Sequence, residues 1–147
     1  MNAVHRIFNN GVPIERVTFL RATLNEANEM YENLIDDIAD YDRIIVDLSL
    51  CNYIDSSFFG ALINAYKKMR EKDGSIVIVL SNMFITKSFL YNDISSIFNV
   101  YHSVRCALDS LNISQENVHT NEYMNLNSIK EPDKLVQFHT QLVPKFE

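Results

Sequence analysis

The stretch YIDSSFFGAL, residues 53–62, brings an acid, two hydroxyls and a glycine together where a predicted strand is followed by a predicted helix. In α/β folds, function is usually located at such junctions, at the carboxyl end of a parallel strand. The simplest alternative is a helix cap, because Asp and Ser oxygens accept the unpaired amide hydrogens of a first helical turn. Any one such junction is more often a cap than a functional site.

Two enzymatic interpretations of this junction lack the residues they need. A hydrolase elbow requires Gly-x-Ser-x-Gly and a base, but the glycine comes only at Gly60 and no histidine ends another predicted strand. A phosphate-binding loop requires several glycines and a lysine, whereas the whole chain has three Gly. The residues therefore predict a protein that is not an enzyme and has no cofactor, and a hydrolase using Ser56 or Ser57 ranks far behind.

A regulated hydroxyl is the third chemical interpretation. A phosphate on Ser56 would lie at a helix N-terminus, where the dipole and the first amides favour an anion. The same dianion beside Asp55 would add repulsion, so a partner whose acidic or apolar surface docks there would be released. Such a protein is a switch that performs no chemistry itself.

Composition restricts the partners. The net charge of −6 disfavours nucleic acid and anionic membranes, which reward clustered Lys and Arg. No apolar run approaches the roughly 20 residues that span a bilayer, and the N-terminal residues lack a targeting pattern, so we expect a cytoplasmic protein. The four histidines are scattered and the two cysteines form no CxxC motif, which predicts buried free thiols and no metal site.

The elements that position the junction follow from hydrophobic periodicity. Apolar and polar residues alternate in AVHRIFNN and again in PIERVTFL, with Asn-Asn-Gly between the two alternating runs. This pattern predicts two strands joined by a turn. RIIVDLSL and SIVIVLS are short branched runs typical of strands covered on both faces. A brief strand is predicted around Ile97 to Val100. The alternation of strands with helices predicts a mixed sheet that is at least partly parallel.

Four helices are predicted beside these strands. The first starts at Thr23 with a Thr23–Glu26 capping box, the second starts at the serines, a short third lies within FITKSFLYNDISSIFNVY, and SVRCALDSL closes the domain. We assign residues 1–112 to one domain and residues 113–147 to a C-terminal extension, in which only PDKLVQFHTQL indicates a short helix.

Periodicity also predicts which side of each helix faces the core. For the first helix the predicted inward residues are Leu24, Ala27, Tyr31, Leu34, Ile35 and Ile38, and for the second they are Phe59, Leu62, Ile63, Tyr66 and Met69. Phe58, Ala61 and Ala65 then form a small apolar strip beside the Ser56 loop. We expect a partner helix or loop to contact that strip, with packing of Phe58 against the third helix as the alternative.

The run RIIVDLSLCNYIDSSFFGALINAYKKMREKDGSIVIVL, followed by IFNVYHSVRCALDSL, resembles the STAS domain of bacterial anti-sigma factor antagonists. The resemblance implies an α/β STAS-like fold, with a mixed sheet of about 4–5 strands and about 4 helices packed mainly against it. Asp55, Ser56, Ser57 and Gly60 match the family's core pattern, and Ser56 takes the position of its phosphorylated serine.

The resemblance implies a phosphorylation-controlled partner switch in transcription regulation. The unmodified protein would bind an anti-sigma factor that is itself a serine kinase, and a serine phosphatase would restore it after phosphorylation. The chain departs from the family pattern at Phe58 and Phe59 and in VTFLRATLNEA, which lacks the usual Gly-x-x-Asp, so a divergent or dedicated partner is expected. A scaffold subunit of a larger signalling or transport-associated assembly is the alternative function, and a homodimer stays open.

Overall fold

The computed structural model describes residues 2–82, 85, 87 and 96–116. These residues form seven strands and three helices, which are in chain order β1 (Val4–Asn9), β2 (Val12–Val17), β3 (Arg21–Ala22), α1 (Leu24–Asp40), β4 (Arg43–Asp47), β5 (Tyr53–Ile54), α2 (Ser56–Arg70), β6 (Ser75–Val79), β7 (Asn99–Tyr101) and α3 (Val104–Glu116).

Five strands build the main sheet in the order β1-β2-β4-β6-β7. β1 and β2 are antiparallel, whereas β2, β4, β6 and β7 are parallel neighbours. Asn10 and Gly11, which connect β1 to β2, have φ angles of 52° and 76°. Two consecutive positive φ angles are the requirement of the tight hairpin turn that Asn-Gly favours. The predicted mixed sheet and its hairpin are confirmed.

β3 and β5 form a separate parallel pair that the sequence prediction missed. Each strand has only two residues, which is too short for a period-2 pattern to be recognised. This pair fixes the two connections that approach the amino ends of α1 and α2. It is therefore the part of the fold that positions the serine junction.

The helices cover both faces of the main sheet. α1 and α2 lie on one face, over a core that includes Ile44 and Val46 of β4, and α3 lies on the other, over Ile45 of the same strand. Adjacent residues of β4 are thus buried on opposite sides, as predicted from its continuous apolar run. Among the described residues no helix is both long enough and apolar enough to cross a bilayer.

The start of α1 agrees with its predicted capping residues. Thr23 is the N-cap, and its backbone N–H and its hydroxyl each donate to Glu26 Oε1 at 2.8 Å. The buried face of α1 is centred differently from the predicted one, because Met30 is fully buried and Leu24 is 57% exposed. The prediction that Leu24 faces the core is wrong, since it lies on the first turn, at the end of the helix.

A buried charged cluster joins the N-terminal hairpin to α1. Arg6 Nε lies 2.7 Å from Glu15 Oε2 and 2.9 Å from Asp37 Oδ1, and Asn33 Nδ2 donates to Glu15 Oε1 at 3.1 Å. Glu15 and Asp37 are buried. Burial, followed by the neighbouring Glu15 carboxyl, raises the pKa of Asp37 to about 8. Amphipathic patterning could not reveal this cluster, because charged residues are expected on exposed faces.

Of two further predicted helices, one can be compared with the structure only in part and the other not at all. Ile85 and Lys87 are helical, but the rest of the predicted third helix up to residue 95 and the helix in PDKLVQFHTQL lie outside the described residues. The predicted last strand and closing helix are confirmed as β7 and α3. α3 continues to Glu116, four residues beyond the predicted domain boundary at 112.

Candidate functional site

The serine junction lies at the edge of the sheet where the parallel strands end. After β4 the chain passes through residues 48–52 into β5, and the backbone N–H of Asp55 then donates to the Ala22 carbonyl at 2.9 Å. Asn52 N–H likewise donates to the Leu20 carbonyl at 2.7 Å. These bonds tie the junction to β3, so the position of Ser56 is set by backbone pairing.

Asp55 caps α2. Its Oδ1 accepts the backbone N–H of Phe58 at 2.9 Å, and its carbonyl accepts the N–H of Phe59 at 3.2 Å. Ser56 is the first residue of the helix, and both serines are exposed while Asp55 is half-buried. The capping role thus belongs to the aspartate, and it leaves the Ser56 hydroxyl at the surface beside the positive end of the helix dipole.

The inward face of α2 agrees with the prediction at Leu62 and Met69 and differs from it at Phe58 and Ala65. Phe58, Leu62, Ala65 and Met69 are buried, at the spacing i, i+4, i+7 and i+11, whereas Phe59 is only half-buried. α2 packs against both the sheet and α1, and this two-sided contact rotates the buried arc toward Phe58. The proposed surface strip is wrong for Phe58 and Ala65, because side chains without exposed area cannot contact a partner.

Ala61, the remaining member of the strip, lines a groove of about 590 Å³ between α1 and α2. Ser57 and Gly60 contribute to the same groove, and α1 contributes Leu24 and Tyr31 among others. A Cβ added at Gly60 would have no neighbouring atom within 4 Å, so the groove is open there. Three of the predicted partner-binding residues, Ser57, Gly60 and Ala61, therefore line this groove, and Asp55 and Ser56 lie directly before them at the start of α2.

Both cysteines are free and buried, as predicted. Burial, followed by the nearby Asp47 and Glu26 carboxylates, raises the pKa of Cys51 to about 12. Its Sγ lies 3.5 Å from the Phe19 carbonyl. A thiol held neutral in this way is a packing group. In the described part of the chain no three His, Cys, Asp or Glu side chains cluster as a metal site would require.

Sequence reasoning missed a contact next to the junction. The Arg21 guanidinium carbon lies 4.1 Å from the centroid of the Tyr53 ring, across the β3–β5 pair. A cation over an aromatic face at this distance is attracted by the ring quadrupole. Only the pairing of two very short strands brings these residues together, so no sequence pattern indicated the contact.

The sequence model of the STAS domain matches residues 20–107, which include the junction, both helices that flank the groove and the three parallel strands β4, β6 and β7 of the main sheet. The chain belongs to the STAS domain family. The match confirms the resemblance carried by the Asp55-Ser56-Ser57 region. No curated protein sequence matches this STAS chain.

Solved structures share the STAS fold. An anti-sigma-factor antagonist (STAS) domain protein from Planctomyces limnophilus has a TM-score of 0.67 at 16% identity, over 75% of this chain and 98% of its own. An anti-sigma factor antagonist from Mycobacterium paratuberculosis has a TM-score of 0.65 at 18% identity, over 73% and 91%. The phosphorylated form of the Bacillus cell fate determinant SpoIIAA has a TM-score of 0.59 at 13% identity, over 74% and 99%. At these identities the likeness establishes the fold.

Proposed function

We propose that this STAS protein is an anti-sigma factor antagonist that works as a partner switch in the cytoplasm. When Ser56 is unmodified, the protein binds an anti-sigma factor that is also a serine kinase, and phosphorylation of Ser56 releases that partner. A serine phosphatase restores the binding form. The protein itself is not an enzyme in this scheme. The observation that carries the proposal is the exposed Ser56 hydroxyl at the first position of α2, with Asp55 already serving as the cap.

The geometry supports a switch that acts through charge. A phosphate on Ser56 adds nearly two negative charges beside the Asp55 carboxylate, on a chain whose net charge is already −6. The helix dipole partly stabilises that dianion within the protein itself. A partner that buries the junction would have to desolvate it, which costs several kcal/mol per unpaired charge. Modification therefore weakens partner binding without unfolding the switch.

The proposed partner surface consists of the five residues that the fold brings together. Asp55, Ser56 and Ser57 form its rim, and Gly60 with Ala61 forms the start of the groove between α1 and α2. A partner side chain entering the groove at Gly60 would pass directly beside the serines. Binding of the partner would thus depend on both the shape of the groove and the charge of Ser56.

The scaffold alternative has lost part of its basis. In a scaffold, the bulky Phe58-Phe59 pair and the C-terminal extension would make the contacts within the assembly, but Phe58 has no exposed area and belongs to the core. A homodimer remains an outcome for experiment to test.

The test is capture from a lysate of the source cell with wild-type protein and the variants Ser56→Ala and Ser56→Asp, with Ser75→Asp, at an exposed serine at the start of β6, as the matched control. Mass spectrometry identifies the bound chains and the phosphorylated residue. We expect an ATP-dependent serine kinase bound to wild type, Ser56→Ala and Ser75→Asp but lost with Ser56→Asp, and phosphate on Ser56. Equal capture by all four proteins with no phosphate on Ser56 would leave the junction as a helix cap and favour the scaffold.

A further inference from the structure

The main sheet has an open edge at β1. Among the described residues no strand pairs with the outer side of β1, whereas its inner side pairs with β2 along all six residues. On that inner side Thr18 N–H donates to the Ala3 carbonyl at 2.8 Å. Because backbone groups alternate in direction along a strand, the odd-numbered residues bond to β2, and Arg6 and Phe8 direct their N–H and C=O groups outward. Pro13, the partner of Phe8, has no N–H and agrees with this phase.

β1 lacks the features that usually protect an edge strand, which are short length, a proline, a bulge or an outward charge. β7, at the opposite edge, has only three residues, but β1 has six in continuous register and contains no proline. Its cation, Arg6, is bound to the buried Glu15. The N–H of Val4 donates to Glu29 Oε2 at 3.2 Å. The next outward backbone groups along the strand, those of Arg6 and Phe8, are the ones that a partner would meet.

The two large apolar side chains of β1 that are exposed lie on opposite faces of the sheet. Ile7 is 40% exposed and Phe8 is 52% exposed. Phe8 faces α1, since its ring centroid lies 5.7 Å from that of Tyr41, the C-cap of this helix. Ile7 therefore faces α3, as does its β2 partner Ile14, which belongs to the core beneath α3. A strand added at this edge would extend that apolar surface beyond Ile7.

The side of α1 next to this edge is acidic. Glu29 binds the start of β1, and the Asn33 carbonyl accepts a hydrogen bond from Arg6 Nη2 at 3.0 Å, so both residues mark the side of α1 that adjoins β1. Asp36 and Asp40 follow at helical spacing on the same side and are exposed. We call Glu29, Asp36 and Asp40 the acidic stripe.

We propose that the open edge of β1 binds an extended segment of a different protein, in which apolar and basic side chains alternate. Such a segment adds a strand to the sheet, and its backbone bonds to the outward groups of Arg6 and Phe8. Because side chains alternate across a strand, its apolar residues lie beside Ile7 on the α3 face, and its Lys or Arg residues lie on the other face, opposite the acidic stripe.

Charge complementarity favours this occupant over a second copy of the chain. Two copies paired antiparallel through β1 would bring two acidic stripes together on the same face of the sheet. The surface is also separate from the serine junction. β1 and β2 precede residues 20–107, which match the family model, and the groove beside Ser57 is lined by other residues of α1 and by α2.

The first experiment titrates the full chain with a synthetic peptide of alternating valine and lysine, as long as β1 and blocked at both ends. We expect amide NMR shift changes along β1 and the acidic stripe, and slower hydrogen exchange at the N–H groups of Arg6 and Phe8. In one control peptide glutamate replaces lysine. In the other the lysine amides are N-methylated, because the lysines would pair with Arg6 and Phe8. We expect about tenfold weaker binding of each control. Equal binding of the N-methylated peptide, or shift changes confined to other surfaces, would overturn the proposal.

The second experiment changes the protein. Phe8→Pro removes an outward N–H but no bond to β2, and Phe8→Val is its matched control. Asp36→Lys reverses a charge of the acidic stripe, and Glu71→Lys is its control at the exposed end of α2. We expect about tenfold weaker binding of the valine–lysine peptide to Phe8→Pro and Asp36→Lys than to their controls. Unchanged affinity in either variant would contradict the proposed contact. Should Phe8→Pro fail to fold, the N-methylated peptide tests the same hydrogen bonds with wild-type protein.

The third experiment identifies the native occupant. The photocrosslinker p-benzoylphenylalanine replaces Phe8 in the source cell, and mass spectrometry maps the cross-linked segment. A segment of another protein with alternating apolar and basic residues supports the proposal. A cross-link to a second copy, to a segment without this alternation, or to no protein at all would overturn it.

Discussion

The buried Asp37 carboxyl makes the stability of this protein depend on pH in a predictable direction. Its pKa is raised to about 8 in the fold, first by burial and then by Glu15, from an ordinary value of 3.8. Between these two values the folded protein holds a proton that the unfolded chain has released. The free energy of unfolding therefore falls as the pH rises through this window, and the loss is complete above about pH 8.

The magnitude follows from the single proton involved. One extra proton bound by the folded state gives a slope of about 1.4 kcal/mol per pH unit, which is an upper limit for a carboxyl coupled to Glu15 and Arg6. Asp37→Asn removes the titration but keeps the size of the side chain. We expect the variant to gain stability relative to wild type steadily from pH 5 to pH 8, with the smallest difference at pH 5 and convergence only below the ordinary pKa of 3.8.

The assay is urea unfolding of wild type and Asp37→Asn at four pH values between 5 and 8. Asp40→Asn is the control, because it makes the same substitution at an exposed position at the end of the same helix. Taking the difference in the free energy of unfolding between variant and wild type at each pH cancels the contributions of other titrating groups. If the free energy of unfolding changed with pH in the same way in wild type and Asp37→Asn, no proton would be retained at this site, and the reasoning would be refuted.

Three further predictions concern the environment of α2 and its loop. Phe58→Ala should destabilise the protein by about 3–5 kcal/mol in urea unfolding, because it empties a fully buried site; a loss below 1 kcal/mol would contradict the burial. Gly74→Ala should cost about 1–3 kcal/mol, since the added Cβ would lie 2.9 Å from the Asp42 backbone oxygen, which cannot move aside, and would also overlap the Met69 side chain. Gly60→Ala, which has open space and lies inside a helix, should instead stabilise by about 0.5–1 kcal/mol, and a common sign for the two glycine variants would be the contrary result.

Sequence patterns predicted the elements that are long enough to show a hydrophobic pattern of their own. β4 and β6 were recognised from continuous branched runs, and the hairpin from Asn10-Gly11. β3 and β5 were not, because a two-residue strand is defined by its partner rather than by its own sequence. Apolar residues flanking these strands, such as Leu20, gave no indication that they would remain exposed side by side.

The site was predictable to a similar extent. The residue types at Asp55 and Ser56 predicted the cap and the exposed hydroxyl, and the backbone supports both. The orientation of α2 was not predictable, since Phe58 and Phe59 are equally apolar and differ by only 100° around the helix. Which of them is buried depends on the position of α1, and that is a tertiary contact that the periodicity of α2 does not contain.

Burial of Phe58 determines how a phosphate on Ser56 can act. Phe58 lies two residues beyond Ser56, and its backbone N–H donates to the Asp55 side chain. Moving the first turn of α2 would therefore break this cap. It would also expose the Phe58 ring, whose burial is worth roughly 2–3 kcal/mol. We therefore expect the phosphomimetic Ser56→Asp to change the surface charge and leave the fold unchanged. In amide NMR spectra its shift changes should stay within the first turn of α2 and the adjoining β3–β5 pair. Shift changes that extend to the buried arc at Leu62 and Met69 would show instead that the modification is transmitted by movement of the helix.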